Sequence, residues 1–334
     1  MNYIVFDLEW NQSPIGQAGE HPRMPFEIIE IGAVKLDENY NVIDEFSRLV
    51  KPKIYTKLHK IIKQMLSYDE KDLKKDGVPF KQACAEFLKW SGEDSVFCTW
   101  GSSDLFYLQN NMDFYYMDKL QFPLKYYNIQ QIFADKFDPD GNIWKLEKAV
   151  EELGLSEEEP FHTAVNDARY TARVLEAAKL GDITDKYTFD IYRHPKKYED
   201  RVEAFHDGRL DEISEEFTSK RAAMSDKELS MIRCVKCKRK TSRKIKWFAA
   251  SATTDVAVGK CLYHGFMEGV IKCKSVGDST DNVFILKKTI PISRKEYENI
   301  KKKELQVYEK KREKERQRRE AAREAAAAAK AKKQ

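Results

Sequence analysis

No stretch of the 334 residues approaches the roughly 18 uninterrupted apolar positions that a membrane-spanning helix needs. The opening MNYIVFDLEW lacks the basic lead and long apolar run of a secretory signal. Internal repeats are absent too. Cysteine is scarce, six in all: Cys84 and Cys98 stand alone in apolar surroundings, while Cys234, Cys237, Cys261 and Cys273 gather late in the chain. Such spacing argues against a disulfide framework and for reduced thiols that hold a metal. A soluble, cytoplasmic protein with no membrane contact is expected.

A strong overall charge is also missing, yet the net of +4 conceals an uneven distribution. Residues 1–181 hold 21 Lys+Arg against 30 Asp+Glu, a net of −9; residues 182–300 reach +5 and residues 301–334 reach +8. An acidic front that could bind divalent cations and a basic back that could follow a polyanion suit nucleic-acid work. The hydrophobic fraction of 42% is enough for real cores, and the length predicts two folded units with something extra.

Strands are predicted over Tyr3–Trp10, Glu27–Leu36 and Val42–Val50, the last two joined by a turn at Asp37–Asn41. Helical periodicity covers Lys57–Leu66 and Pro79–Trp90. Ser95–Trp100 is a short strand that passes through Gly101 into a helix near Ser103, and further helices fit Asn128–Lys136, Trp144–Leu153 and Thr163–Ala178. Strands first and helices interleaved later predict an α/β layer fold on a mixed sheet. Gly181 and Asp182 mark its exit. Residues 182–232 are expected to be a charged helical connector, 233–293 a small cysteine-bearing β module, and 294–334 a basic tail, helical or disordered.

In FDLEW, Asp7 and Glu9 are two residues apart, so a strand points both carboxylates to one face. Their mutual repulsion is relieved by a divalent cation, and hard oxygen ligands suit Mg²⁺ or Mn²⁺. Taken alone the pair could equally be a solvated strand end. Asp104, in TWGSSDL, would sit at a helix start where the dipole favours an acid. His162 and Asp167, in FHTAVNDARYTARV, would flank another helix start.

FDLEW, WGSSD and HTAVNDA, in that order and separated by about 95 and 60 residues, resemble the three motifs of the DEDDh exonucleases, the superfamily that includes RNase T and the proofreading subunit of bacterial replicases. With FEIIEIGAVKLD and FSRLVKP, residues 1 to about 180 are most similar to the Eri-type and KapD-type branch, whose characterised members are exoribonucleases. The resemblance implies a ribonuclease H-like fold and a 3′-to-5′ exonuclease that releases nucleoside 5′-monophosphates. It implies that Asp7, Glu9, Asp104 and Asp167 hold two Mg²⁺ or Mn²⁺ and that His162 is the general base. Two cations can stabilise both the entering and the leaving oxygen at phosphorus, and imidazole suits proton abstraction from water.

Leu8 and Trp10 could stack on the terminal base or serve as core. Nothing assigns Asn166 or Arg169 a role. The polar insertion NQSPIGQAGEHPRMP is expected as a loop over the site entrance, where His21 and Arg23 meet phosphate or solvent. IYTKLHKIIKQML stands where Eri-type relatives usually have a threonine-glycine-isoleucine turn, a departure that touches nucleotide contacts and not the catalytic set.

RCVKCKRK, followed 24 positions after Cys237 by GKCLYHGFMEG, pairs Cys-x-x-Cys with Cys-x-x-His. Cys234, Cys237, Cys261 and His264 would form a structural Zn²⁺ site of zinc-ribbon type, with Cys273 as the alternative fourth ligand. Trp247, Phe248 and Tyr263, interleaved with lysines and arginines, are candidate contacts to single-stranded nucleic acid, or core aromatics. The tail could attract phosphates or merely solubilise. Three functions stay open: an exonuclease on single-stranded RNA, the same chemistry on single-stranded DNA or oligonucleotides, and a retired fold kept as a nucleic-acid-binding scaffold. Only contacts to the 2′-OH would separate RNA from DNA.

Overall fold

Strand β1 (Asn2–Gln12) is fully buried from Tyr3 to Phe6, as befits the centre of a sheet covered on both faces. It pairs antiparallel with β2 (Phe26–Leu36), which pairs antiparallel with β3 (Val42–Leu49). Between β3 and the next strand run α1 (Lys60–Met65), α2 (Glu70–Asp76) and α3 (Phe80–Ser91). On its other side β1 runs parallel to β4 (Ser95–Thr99), which leads through α4 (Ser103–Phe114) to the parallel β5 (Lys125–Asn128). Helices α5 (Ile129–Phe137), α6 (Leu146–Glu152) and α7 (Ala164–Ala177) precede the short antiparallel edge strand β6 (Thr188–Phe189). The sheet order is β3-β2-β1-β4-β5-β6, the expected mixed ribonuclease H-like sheet flanked by helices.

The two-residue period of β1 divides the core. Tyr3 and Val5 pack with Val34, Phe133, Val150 and Val174 under α5, α6 and α7. Ile4, Phe6 and Leu8 face the other way, against Phe87 of α3 and Leu105 and Leu108 of α4.

The structure, a computed structural model, describes residues 1–138, 142–156, 159–178, 180, 182–277 and 281–331, with side chains up to residue 322. It divides into two compact units, Met1–Arg193 and His194–Gln334. Gly181, expected at the domain exit, lies outside the described residues.

The second unit corrects the expected helical connector over 182–232. Val202–His206 (β7) and Arg209–Ile213 (β8) form a hairpin, and a short helix α8 (Lys220–Ser225) follows. Asp207 and Gly208, both at positive φ (43° and 65°), make the two-residue turn whose twist suits such a hairpin. The hairpin belongs to the cysteine module's own sheet. With β9 (Ser242–Ala249), β10 (Thr254–Cys261), β11 (Gly265–Ser275) and β12 (Val283–Ile292) it makes the order β7-β8-β12-β11-β10-β9, antiparallel throughout. Lys287 of β12 is buried and paired with Glu212 at 2.7 Å, and its Nζ donates to the Met231 carbonyl at 2.6 Å.

The tail is helix α9 (Arg294–Ala331). Tyr297, Ile300 and Val307 cover Ile245, Phe248 and Val258, so its first turns are part of the core, while residues 308–322 are exposed on all sides. Among the described residues no helix is long and apolar enough to cross a membrane.

Candidate active site

Asp7 and Glu9 continue the odd register of Tyr3 and Val5, so they open on the face that α7 covers. Asp104 arrives from α4. After β4 the chain turns through Gly101, whose φ of +109° favours glycine, and the first turn of α4 aims Asp104 at the carboxylate strand. Its Oδ1 accepts the backbone N–H of Leu8, the residue between Asp7 and Glu9, at 3.1 Å. That bond ties the start of α4 to the end of β1.

His162 and Asp167 come from the N-terminal end of α7. Its close approach depends on Gly32, which stands opposite Asp7 in the β1–β2 ladder. A Cβ on Gly32 would lie 2.0 Å from Val165 N and 2.1 Å from Ala164 C, so only glycine lets the helix rest on the strand there. Glu30, opposite Glu9, accepts the Ala164 N–H and the Tyr68 hydroxyl, the latter at 2.9 Å. It thereby satisfies one of the free N–H groups at the helix start, where Thr163 provides no side-chain cap. His162 itself takes a positive φ of 69°, costly for a residue with a side chain, and its N–H donates to Asp167 Oδ2 at 3.3 Å.

These residues form one acidic pocket. Glu9, His162 and Asp167 each bring a ligand atom within 4.8 Å of the other two. Burial pushes the Glu9 carboxyl up to about 8, helped by the charges of Asp167, Glu30 and Asp104. Burial likewise raises Asp104 to about 7 against the opposing Leu8 N–H bond, and Asp167 to about 7 against the bond from His162. Asp7 is raised well above the usual carboxylate range by burial, then by Asp104, Asp167 and Glu9. Asp167 Oδ1 is buried and accepts no hydrogen bond among the described residues. Clustered hard oxygens with an unsatisfied one among them fit a divalent cation.

Around the site the arrangement differs from some sequence expectations. Leu8 is 3% exposed and packed beneath α3 and α4, because its side chain points away from Asp7 and Glu9; it is core and not a base contact. Trp10 is half-buried, its ring 4.9 Å from that of Tyr107 and 6.2 Å from that of Phe26. Asn166 and Arg169 are structural: Asn166 donates to the Pro160 carbonyl at 2.9 Å, and Arg169 bridges Asn166 to Glu45 of β3. Arg23 is engaged at the end of α4, donating to the Tyr116 hydroxyl at 3.2 Å, and the His21 ring stands edge-on to Phe114. Glu30, Gly32 and Tyr68 were not singled out from the sequence. A glutamate and a glycine inside the apolar run EIIEIGAVKL were the available signal.

In the second unit, the turn Cys234–Cys237 and the β10–β11 turn Cys261–His264 face each other. Cys234 Sγ lies 3.4 Å from His264 Nδ1, Cys237 Sγ 3.7 Å from Cys261 Sγ, and Cys261 Sγ 3.6 Å from His264 Nδ1. These are the edges of a tetrahedron with arms of about 2.0–2.3 Å, the size of a zinc site. Desolvation raises the Cys261 thiol, but N–H groups of Tyr263 and His264 outweigh it and hold it at about 6. Cys273 is not in this group; it packs against Ile271 and Ile285. Phe248 is corrected to a core residue, and Trp247, half-buried, packs against the core. The Trp247 indole donates to the Ser230 carbonyl at 2.9 Å and its ring lies over Gly269, and Phe248 is 5% exposed beneath α9.

Comparison with known proteins identifies a family. The chain is similar to a protein of Bacillus subtilis (strain 168) named "Probable 3'-5' exonuclease KapD", 30% identical over 168 residues, which covers 49% of this chain and 78% of that protein. Among solved structures it is similar to the nuclease domain of 3'hExo, a DEDDh family member bound to rAMP, at 21% identity and a TM-score of 0.46, covering 54% of this chain and 91% of that one. It is also similar to cell-death related nuclease 4 (CRN-4), at 20% identity and a TM-score of 0.47, covering 56% of this chain and 66% of that one. Residues 4–175 match the family described as Exonuclease (RNase T), and the chain belongs to that family.

Proposed function

We propose that this exonuclease-family chain hydrolyses single-stranded nucleic acid from its 3′ end, RNA by preference, and releases nucleoside 5′-monophosphates. The observation that carries the reading is the convergence of Asp7, Glu9, Asp104, Asp167 and His162 at the end of β1, with Asp167 Oδ1 left without a donor among the described residues. A scaffold with retired chemistry has no need for so many mutually repelling acids. Support for the 3′ direction comes from the name of the Bacillus subtilis relative. Support for RNA comes from the resemblance of FEIIEIGAVKLD and FSRLVKP to the exoribonuclease branch.

Asp7, Glu9, Asp104 and Asp167 would hold two Mg²⁺ or Mn²⁺, which when bound supply charge stabilisation for the oxygens entering and leaving phosphorus. The His162 ring, beside Glu9 and Asp167, accepts the proton of the attacking water. Asp167 orients that ring by holding the His162 N–H in its left-handed conformation. Trp10, half-buried against Tyr107 and Phe26 just after Glu9, is the proposed contact for a terminal base. In the second unit Cys234, Cys237, Cys261 and His264 would hold a structural Zn²⁺ that fixes the fold and takes no part in hydrolysis.

The test is degradation of matched 3′-labelled and 5′-labelled RNA and DNA strands with Mg²⁺ or Mn²⁺, wild type against Asp7→Ala. Stepwise loss from the 3′ end, absent in the variant and faster on RNA, is the expected result. Equal or faster loss of DNA would reassign the substrate, and binding without any metal-dependent cleavage would replace the enzyme with a scaffold.

A further inference from the structure

We infer that the facing Cys-x-x-Cys and Cys-x-x-His turns of the second unit form a platform for single-stranded nucleic acid, with Tyr263 stacking on a base and Lys236, Lys238, Arg239 and Lys240 meeting phosphates. The identity of the ligand rests on the exonuclease reading above. The surface itself does not.

Leu262 and Tyr263 are 85% and 72% exposed, the two most outward-facing apolar side chains of this unit among those described. They sit between Cys261 and His264, whose side chains both turn inward toward Cys234 and Cys237. With both neighbours committed to the cysteine cluster, Leu262 and Tyr263 stand out into solvent. A rigid, exposed aromatic is a contact that loses little freedom on binding. It is also sequence-tolerant, because every base presents a π-face.

Charge selects the partner. No acidic residue occurs between Arg233 and Asp255. Lys236 lies inside the first turn and Lys238, Arg239 and Lys240 follow it directly, all exposed. Several cations elsewhere in the unit are matched to acids: Lys196 with Glu216, Arg201 with Glu215, Arg209 with Asp211, Lys220 with Asp255, Arg233 with Glu203. The cations of the first turn meet no carboxylate among the described residues. Uncompensated positive charge beside an exposed ring is what a phosphate-linked chain of bases would engage. Residues 1–181 carry a net of −9, so affinity for a polyanion has to be supplied from elsewhere in the chain.

The experiment uses the full chain, zinc-loaded, with Asp7→Asn so that the strand is not consumed, and reads fluorescence anisotropy of labelled 20-nucleotide RNA and DNA. Tyr263→Ala is expected to weaken binding of either strand roughly tenfold and Tyr263→Phe to stay within about twofold of the parent. Lys236→Gln with Lys238→Gln should lower the slope of log affinity against log salt by about two. Zinc content and melting temperature equal to the parent's certify that each variant is folded. A folded Tyr263→Ala protein that binds as the parent does overturns the platform, even while wild type still cleaves strands from the 3′ end. Tyr263-dependent binding by a wild type that cleaves no strand upholds the platform and overturns the exonuclease reading instead.

Discussion

Gly32 stands directly across the β1–β2 ladder from Asp7, and the backbone of Ala164 and Val165 rests where its side chain would be. The geometry of the acidic pocket therefore depends on a hydrogen atom. Gly32→Ala forces a methyl group against backbone 2.0–2.1 Å away, so the start of α7 must move and carry His162 and Asp167 from Asp7 and Glu9. A displacement near 1 Å costs on the order of a hundredfold in rate. Overpacking of this kind destabilises by about 1–3 kcal/mol. Single-turnover cleavage and a urea titration of the variant check both; a Gly32→Ala protein with wild-type rate would mean that α7 does not set the site.

The residues proposed as catalytic were legible because chemistry restricts both their types and their order along the chain. Asp7 and Glu9 follow from the two-residue strand period, and His162 and Asp167 from a helix start found at Ala164 against the expected Thr163. Glu30 and Gly32 were hidden because their roles depend on which strand residue faces which, and register is not written in a continuous apolar run. The β7–β8 hairpin carried a readable signal, Asp207-Gly208 between two alternating segments, but dense charge masked it as a helical connector. Trp247 and Phe248 stayed open as strand contacts or core aromatics because one strand gives no sign that both faces of its sheet are covered, here by Ile232 and Leu229 on one side and by α9 on the other.

That coverage makes Trp247 a stability residue. Its ring fills the space above Gly269 and its indole N–H is satisfied by the Ser230 carbonyl. Trp247→Ala should destabilise the second unit by about 3–5 kcal/mol, the usual cost of emptying a large aromatic site. Denaturant unfolding followed by the loss of the 233–293 fold measures this. A change in strand affinity with unchanged stability would return Trp247 to the surface.

The cysteine cluster predicts one zinc per chain. Cys261→Ser removes a ligand that bridges both turns, being 3.7 Å from Cys237 and 3.6 Å from His264. Zinc content measured by atomic absorption should fall to near zero, and the second unit's melting transition should move down or vanish, because a structural site contributes its binding energy to folding. Cys273→Ser, outside the group, should retain zinc. Loss of metal from Cys273→Ser with retention in Cys261→Ser would reverse the ligand assignment.

The crowded carboxylates should give the first unit an inverted dependence on pH when divalent cations are withheld. Glu9 near 8 and Asp104 and Asp167 near 7 hold protons in the folded state that the unfolded chain has already released above about pH 4–5. The folded state thus binds more protons than the unfolded one across this window, and stability must fall as pH rises from 5.5 to 8. Acids with lowered values, such as Asp37, Asp44 and Asp69, have finished titrating below that range and do not oppose the trend. Mg²⁺ competes with those protons, so its stabilisation should be small at pH 5.5 and largest at pH 8. Asp104→Asn removes one repelling charge; in EDTA at pH 8 it should raise stability by on the order of 1–3 kcal/mol, and the melting temperature with it, while abolishing cleavage. Differential scanning calorimetry in EDTA and in Mg²⁺ at the two pH values decides the matter: a melting temperature that climbs with pH in EDTA would mean the acids do not share one pocket.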